Sequence, residues 1–382
     1  MKKVKPHTRK THREVLDALR QTIVTGGLRP GSRLPTHIEL KKQFATTAAT
    51  TQRALDGLAS EGFVLARGRA GTFVVDRPPH RYRFGLAFPA DPAVSGQWGT
   101  MFQAIDAEAR RINASGAQEI KIYYGVHAAS APGRLALLDD VKSNRIAGLL
   151  YASRFDAELL AELQAAPRRI ALAELSFSPN AGVIHVRTGT YISKVLDYLK
   201  SRGRARVGLI LSSLHGSVEK AWKSLLDERG LQYDPYWAFT VSPSHPDPAR
   251  NAAYLMLRQP RNARPDALII TDDYLVEMAT AGVRDSGAHA PEDVEVVAHC
   301  NFPLPPASHV PVTRIGYDMP LMLNDVLKVL DEKAAGRAAK VSEVLVPALF
   351  ENETRHAAPI HLAARPPATD SASPLQPSFT FG

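Results

Sequence analysis

The sequence predicts an α/β protein built from a small helical unit and a larger region of two doubly wound parallel sheets. Three observations predict it. Residues 11–75 spell helix, turn, helix, turn, helix and a glycine-tipped hairpin. Positive charge is concentrated at that end: residues 1–83 hold 17 Lys or Arg against 6 Asp or Glu, more than accounting for the net charge of +9 on the whole chain. From residue 84 onward, apolar strands alternate with amphipathic helices, the pattern of βα units in parallel sheets.

A chain of 382 residues can bury a large core and supports two or three domains. Hydrophobic residues make up 45% and charged residues 22%, as in ordinary globular proteins. No apolar run reaches the roughly 18 residues that a membrane-spanning helix needs. The start, Met1-Lys2-Lys3-Val4-Lys5-Pro6-His7, is basic with no apolar stretch behind it. Neither a signal peptide nor a membrane partner is therefore expected, and a cytoplasmic location is. The one cysteine, Cys300, cannot form an internal disulfide, which agrees with a reducing compartment. A local excess of cations is the footprint of phosphate binding, because each neutralised phosphate releases counterions. A solvated basic surface is the blander reading.

Each N-terminal element has its own start and stop. Thr11 to Glu14 has capping-box spacing, and Leu16, Leu19 and Ile23 follow on one helical face, up to Gly26-Gly27. Pro30-Gly31 makes a turn. Thr36 to Glu39 is a second capping box, opening a short helix that ends near Phe44. Thr47 is the expected N-cap of a third helix running to about Glu61, with Leu55 and Leu58 facing inward and Gly62 closing it. Two apolar runs then flank Gly68-Arg69-Ala70-Gly71 as a hairpin.

The run Leu28-Arg29-Pro30-Gly31-Ser32-Arg33-Leu34-Pro35-Thr36, followed by Leu40, Arg53-Ala54-Leu55, Glu61-Gly62-Phe63-Val64 and Gly71-Thr72-Phe73-Val74, resembles the GntR-type winged helix-turn-helix. The resemblance implies double-stranded operator DNA as a partner, with the third helix as recognition helix. Its exposed start offers Thr47, Ala48, Ala49, Thr50, Gln52 and Arg53. Threonine hydroxyls suit phosphate or base, Gln binds adenine at two points, and Ala packs on a thymine methyl. Arg33 is similar to the family's phosphate-contacting arginine. Arg67, Arg69 and Gly71 belong to the wing, whose tip enters the minor groove in relatives. Relatives usually carry arginine where this chain has Ala48 and Gln52, so an unusual operator is expected. Arg53 reads either as a DNA contact or as a surface ion pair with Asp56 or Glu39.

Asp76-Arg77-Pro78-Pro79-His80 reads as a stiff extended linker over 76–83. Strands are then expected at 84–88, 120–124, 148–151, 170–172 and 183–186, and again at 207–211, 239–241, 268–271 and 295–298. Helices fall at about 101–112, 135–142, 157–164, 191–200, 218–229, 249–257 and 276–285. There are enough βα units for two lobes, whose ligands bind at the carboxyl ends of the strands.

Arg145-Ile146-Ala147-Gly148-Leu149-Leu150, the run 198–208 from Tyr198-Leu199 to Val207-Gly208, Pro291-Glu292-Asp293-Val294 and Val312-Thr313-Arg314-Ile315 occur in the order seen in LacI-type effector domains, relatives of periplasmic sugar-binding proteins. Together, the two parts resemble the arabinose-repressor group. The resemblance implies a winged helix-turn-helix at 1–75, the linker at 76–83, and a two-lobed periplasmic-binding-protein-like domain at 84–352. Lobe one covers about 84–186 and 303–336, and lobe two about 187–302 and 337–352, with crossings near 187, 302 and 337. The Pro-, Ala- and Ser-rich tail at 353–382 is expected to be disordered. A homodimeric repressor responding to a small molecule, a sugar or sugar derivative, follows as the expected function.

The strand-end and loop candidates for ligand contact are Gln97, Trp98, Ser153, Arg154, Arg187, Trp222, Asp273 and His299. Trp98 or Trp222 could stack on a sugar face or simply pack in a core. Asp273 could accept hydroxyl hydrogen bonds or cap the helix beginning near Tyr274. Val218, Cys300-Asn301 and Arg187 stand where sugar-binding relatives hold Arg or acids. That leaves a neutral sugar and an acidic or phosphorylated ligand both open. Histidines show no metal-ligand spacing, no Gly-x-Ser-x-Gly elbow occurs, and no cofactor is expected. An aminotransferase-like fusion and a smaller lyase-like sensor are the competing architectures; an enzyme is not expected.

Overall fold

The computed structural model describes residues 10–93, 98–176, 180–212, 216–337 and 341–354. The first unit holds α1 (His12–Val24), α2 (His37–Gln43) and α3 (Ala48–Ser60), then β1 (Val64–Ala66) and β2 (Thr72–Val74), paired antiparallel. Both expected capping boxes form, Thr11 with Glu14 and Thr36 with Glu39, and Thr47 caps α3 by accepting from the Thr50 amide. Val15, Leu19 and Ile23 of α1 meet Leu40, Leu55, Leu58 and Phe63 in one small core.

The linker departs from its expected extended form. Pro79–Tyr82 is a one-turn helix, α4. Proline at the first helical position loses no hydrogen bond and has its φ preset, so Pro79 starts the turn rather than preventing it. Pro78, Pro79 and His80 are buried, and the His80 ring stacks on Phe63 at 6.0 Å. The linker is thus packed against the first unit.

Two parallel sheets follow. The first contains β3 (Arg83–Ala87), β4 (Glu119–Tyr123), β5 (Gly148–Tyr151), β6 (Ala171–Leu175) and β7 (Ile184–Gly189), with α5 (Thr100–Ser115), α6 (Pro132–Lys142) and α7 (Ala157–Gln164) between them. Helix α8 (Tyr191–Ser201) opens the second lobe. Its sheet comprises β8 (Val207–Leu211), β9 (Ala238–Thr240), β10 (Ala267–Ile270), β11 (Glu295–Phe302) and β12 (Thr313–Asp318), joined by α9 (Gly216–Asp227), α10 (Pro248–Leu257) and α11 (Asp273–Asp285). Helix α12 (Met319–Ala334) returns to the first lobe, where β13 (Glu343–Pro347) pairs with β7. Finally β14 (Leu349–Phe350) adds antiparallel to β12 in the second.

Strand pairing sets the lobe crossings. The chain passes between sheets after β7, after β12 and after β13. The first lies close to the expected 187, but the other two fall later than the expected 302 and 337. Residues 313–318 bond to β11 instead of joining lobe one, and residues 343–347 bond to β7 instead of joining lobe two. The expected tail begins in a short 3-10 turn, Glu351–Glu353, and lies outside the described residues from 355 onward.

Both sheets are covered on both faces, as parallel sheets require. In the first, Phe84, Leu86 and Leu150 pack on α5 and α12, while Ala87, Leu149 and Tyr151 pack on α6 and α7. In the second, Leu268, Ile270 and Val296 face α10 and α11, and Leu209, Ile269 and Val297 face α8 and α9. Among the described residues, no helix is long and apolar enough to cross a membrane.

Candidate DNA-reading face and ligand cleft

The capping geometry of α3 leaves its first turn open. Thr47, Ala48, Ala49, Gln52 and Arg53 are exposed, and the Thr50 hydroxyl bonds that of Thr47 at 2.9 Å. Gln52 donates its amide to Asp56 at 2.7 Å, so Asp56 is engaged by Gln52 and not by Arg53. The wing stands beside this helix. Arg67 lies over the Phe73 ring at 5.0 Å, and Arg69 is exposed at the tip.

Arg33 crosses the wing at Gly71. A Cβ on Gly71 would sit 2.7 Å from Arg33 Nε, and Gly71 has φ +106°. Only glycine meets both demands without strain. The structure therefore brings Arg33, the start of α3 and the wing onto one cationic face. Arg33→Ala and Arg69→Ala are each expected to weaken binding to operator DNA and to lower the slope of log K against log salt by about 1. Unchanged slopes in a fluorescence-anisotropy titration would remove these residues from the interface.

The two lobes face each other at the carboxyl ends of their strands. Here α5 of the first lobe meets α11 of the second. The Thr100 hydroxyl donates to Asp273, and Asn301 Nδ2 donates to the same carboxylate at 2.8 Å. Gly99 allows the approach, since a Cβ there would lie 2.4 Å from the Tyr274 hydroxyl. Asp272, not Asp273, caps α11 by accepting from the Tyr274 amide at 3.1 Å.

His299 lies between two tyrosines, 5.4 Å from the Tyr191 ring and 5.7 Å from that of Tyr317. Burial pushes its pKa down, against the pull of Asp272, so the ring is held towards its neutral form. Burial, reinforced by the neighbouring Asp273, pushes Asp272 up; burial also raises Asp273, against the Asn301 hydrogen bond. The Tyr191 hydroxyl is buried with no hydrogen-bond partner. Carboxylates, a neutral imidazole and an unpaired hydroxyl form a donor and acceptor set suited to hydroxyl groups. Two adjacent acids also disfavour an anion.

Of the expected ligand residues, the cleft brings together Asp273 and His299, with the Trp98 segment beside them. Trp98 itself packs edge-on against Phe88 at 4.8 Å, within an aromatic group that includes Phe102 and Tyr124. Ser153 is partly buried after β5, and Arg154 donates to Asn180 at 3.4 Å. Arg187 is paired with Glu343 on the adjacent strand at 2.8 Å, because its position in β7 points away from the cores. It does not supply the extra pocket cation that the sequence suggested. Trp222 is 3% exposed among Val195, Leu199 and Leu226, in the core of the second lobe rather than at the cleft. Gln97 and the side chain of Val218 lie outside the described residues. Sequence reasoning missed Thr100, Tyr191, Asp272 and Tyr317. Only the doubled acid Asp272-Asp273 after an apolar strand carried a readable signal.

Comparison with known proteins matches two parts of the chain. Residues 11–74 match the gntR family of bacterial regulatory proteins, and residues 196–354 match a periplasmic binding protein-like domain. The chain joins a gntR-family domain to a periplasmic binding protein-like domain. The HTH-type transcriptional regulator Rv1152 of Mycobacterium tuberculosis is 39% identical over 69 residues, which is 17% of this chain. The match spans 57% of the length of that curated relative.

The binding-protein-like part has the fold of LacI-family regulators. A regulatory protein of that family from Chloroflexus aggregans superposes with a TM-score of 0.57 at 12% identity, covering 70% of this chain and 96% of its own. A LacI family transcriptional regulator from Arthrobacter sp. FB24, solved in complex with lactose, gives 0.54 at 15% identity over 71% of this chain and 97% of its own. One from Lactobacillus casei with bound sucrose gives 0.51 at 18% identity over 70% and 97%. Both matched families are regulatory or ligand-binding, which agrees with the expectation that the chain is not an enzyme.

Proposed function

We propose that the protein is a ligand-responsive transcriptional repressor that works as a cytoplasmic homodimer. The gntR-family domain binds operator DNA through Arg33, Thr47, Thr50, Gln52, Arg53, Arg67, Arg69 and Gly71. The cleft between the lobes binds a neutral polyhydroxylated ligand, a sugar or sugar derivative, through Asp272, Asp273, His299 and Tyr191, with Trp98 at its edge. One observation supports the coupling of the two events. Glu61, at the end of α3, accepts two hydrogen bonds from Arg20 of α1 at 2.9 and 2.7 Å and one from Arg145 of the first lobe at 3.1 Å. A lobe movement is thereby passed to the recognition helix. A ligand that prefers one lobe closure then shifts the molecule between DNA-competent and DNA-incompetent states.

The pair of acids favours a neutral ligand over a phosphorylated one. Thermal unfolding against neutral sugars, sugar acids and sugar phosphates tests the reading, because a ligand specific for the folded state raises the melting temperature. Neutral sugars are expected to stabilise the protein and to change its operator affinity. Stabilisation by non-carbohydrates alone would overturn the sugar assignment. Asp272→Asn is expected to weaken the stabilising sugar by about tenfold or more, the scale of one charge-assisted hydrogen bond.

A further inference from the structure

A second cavity lies away from the cleft, where the DNA-binding domain meets the first lobe. It measures about 490 Å³, and its wall includes Val24 at the end of α1, His80 and Arg81 of α4, Arg168, and Asp331 and Arg337 around the end of α12. All three parts of the molecule that would have to move together during signalling therefore border it.

Its charge is unbalanced. Asp331, the acid in the wall, is paired with Arg337 at 3.3 Å. Among the described residues, neither Arg81 nor Arg168 has a carboxylate partner. Arg168 is held below the ordinary arginine range by burial and by Arg81. Its Nη1 is buried with no acceptor. His80 is 2% exposed, and neither of its ring nitrogens has a partner. Burial and the two arginines push its pKa down to about 4. The carbonyl end of α12, at Ala334 and Ala335, reaches the same cavity and offsets part of the positive charge. The unpaired guanidiniums of Arg81 and Arg168 remain in excess.

We propose that this junction is a second ligand site, which takes a phosphate group and by doing so clamps the DNA-binding domain to the first lobe. A phosphate supplies what the wall lacks: acceptor oxygens for the buried Arg168 and His80 donors and a double negative charge between unpaired arginines. Water could satisfy the donors but not the charge. The volume leaves room for the organic part of a phosphate monoester. The site is distinct in chemistry from the cleft, where adjacent carboxylates repel anions.

The test follows thermal unfolding of the full chain in inorganic phosphate and in glucose 6-phosphate, against sodium chloride at equal ionic strength. A saturable rise in melting temperature with phosphate is expected for the unaltered protein, and its loss in Arg81→Gln and Arg168→Gln. Both variants should melt no lower than the unaltered protein in chloride, because each removes like-charge repulsion. They should also keep the stabilisation by neutral sugar, which separates failure here from failure of the cleft assignment. A free phosphate source predicts that the rise persists in Arg33→Ala/Arg69→Ala. A DNA backbone source predicts instead that Arg81→Gln and Arg168→Gln reduce the salt slope of operator binding. Phosphate shifts no larger than those of chloride, with an unchanged salt slope in both variants, would overturn the proposal, as would equal shifts in all forms of the protein.

Discussion

Glu61→Ala is expected to lower the unfolding free energy of the DNA-binding domain by about 2–3 kcal/mol, the scale for stripping the partner from a mostly buried charge. The Arg20 side chain is 8% exposed and that of Glu61 16%, so little water reaches the pair. Arg20 would keep Asp17 at 2.7 Å, but that acid is largely exposed and replaces only part of the loss. The same substitution breaks the bond to Arg145 and should uncouple effector from operator. Arg145→Ala separates the two effects. It leaves the Arg20–Glu61 pair whole, so the stability of the DNA-binding domain should hold while the sugar-dependent change in operator affinity disappears. Urea unfolding and anisotropy on the same preparations give both readings. A full effector response in Arg145→Ala would show that the signal travels by another route, such as Arg83, which reaches the Glu61 carbonyl at 3.2 Å.

That coupling was not readable in the sequence. Glu61 reads only as a helix end, and Arg145 only as part of a strand approach. They meet because α3 and the turn before β5 pack across the junction, a contact between residues 84 positions apart. The DNA-binding domain, by contrast, was nearly all legible. Its signals are local: two capping boxes, an N-cap threonine, and glycines at helix ends and the wing tip. The βα units were legible for the same reason, since each strand is a short apolar run and each helix shows its own period.

What escaped was long-range or misleading in type. Helix α12 buries Met319, Met322, Leu323, Val326, Leu327 and Leu330 with clear helical spacing. Its Pro320 looks like a breaker but stands in the first turn, where proline is tolerated. The lobe crossings after β12 and β13 depend on which sheet each strand finds, and strand composition is the same in both. In the cleft, Asp272 and Asp273 are adjacent in sequence but differ in role by one position of backbone direction. One caps α11, and the other accepts from Thr100 across the lobes and from Asn301 within its own lobe.

Trp222→Ala is expected to destabilise the second lobe by about 3–5 kcal/mol, the cost of emptying a large aromatic from a packed core. Val195, Leu196, Leu199, Leu226 and Leu231 surround it, tying α8 and α9 to the sheet. A helix at this place in the chain could equally have turned its tryptophan to the cleft, so the two roles need separate readouts. Trp222→Phe keeps most of the apolar volume and should restore much of the stability while leaving effector affinity unchanged. Trp98→Phe should do the reverse under the proposed cleft reading: the partly buried ring would keep an aromatic among Phe88, Phe102 and Tyr124, so its change should alter affinity more than stability. Chemical unfolding together with effector titration of the three variants distinguishes core from pocket. If Trp222→Ala left the melting temperature unchanged and abolished effector binding, the tryptophan would belong to the cleft, and the second lobe would have to open differently from the arrangement described.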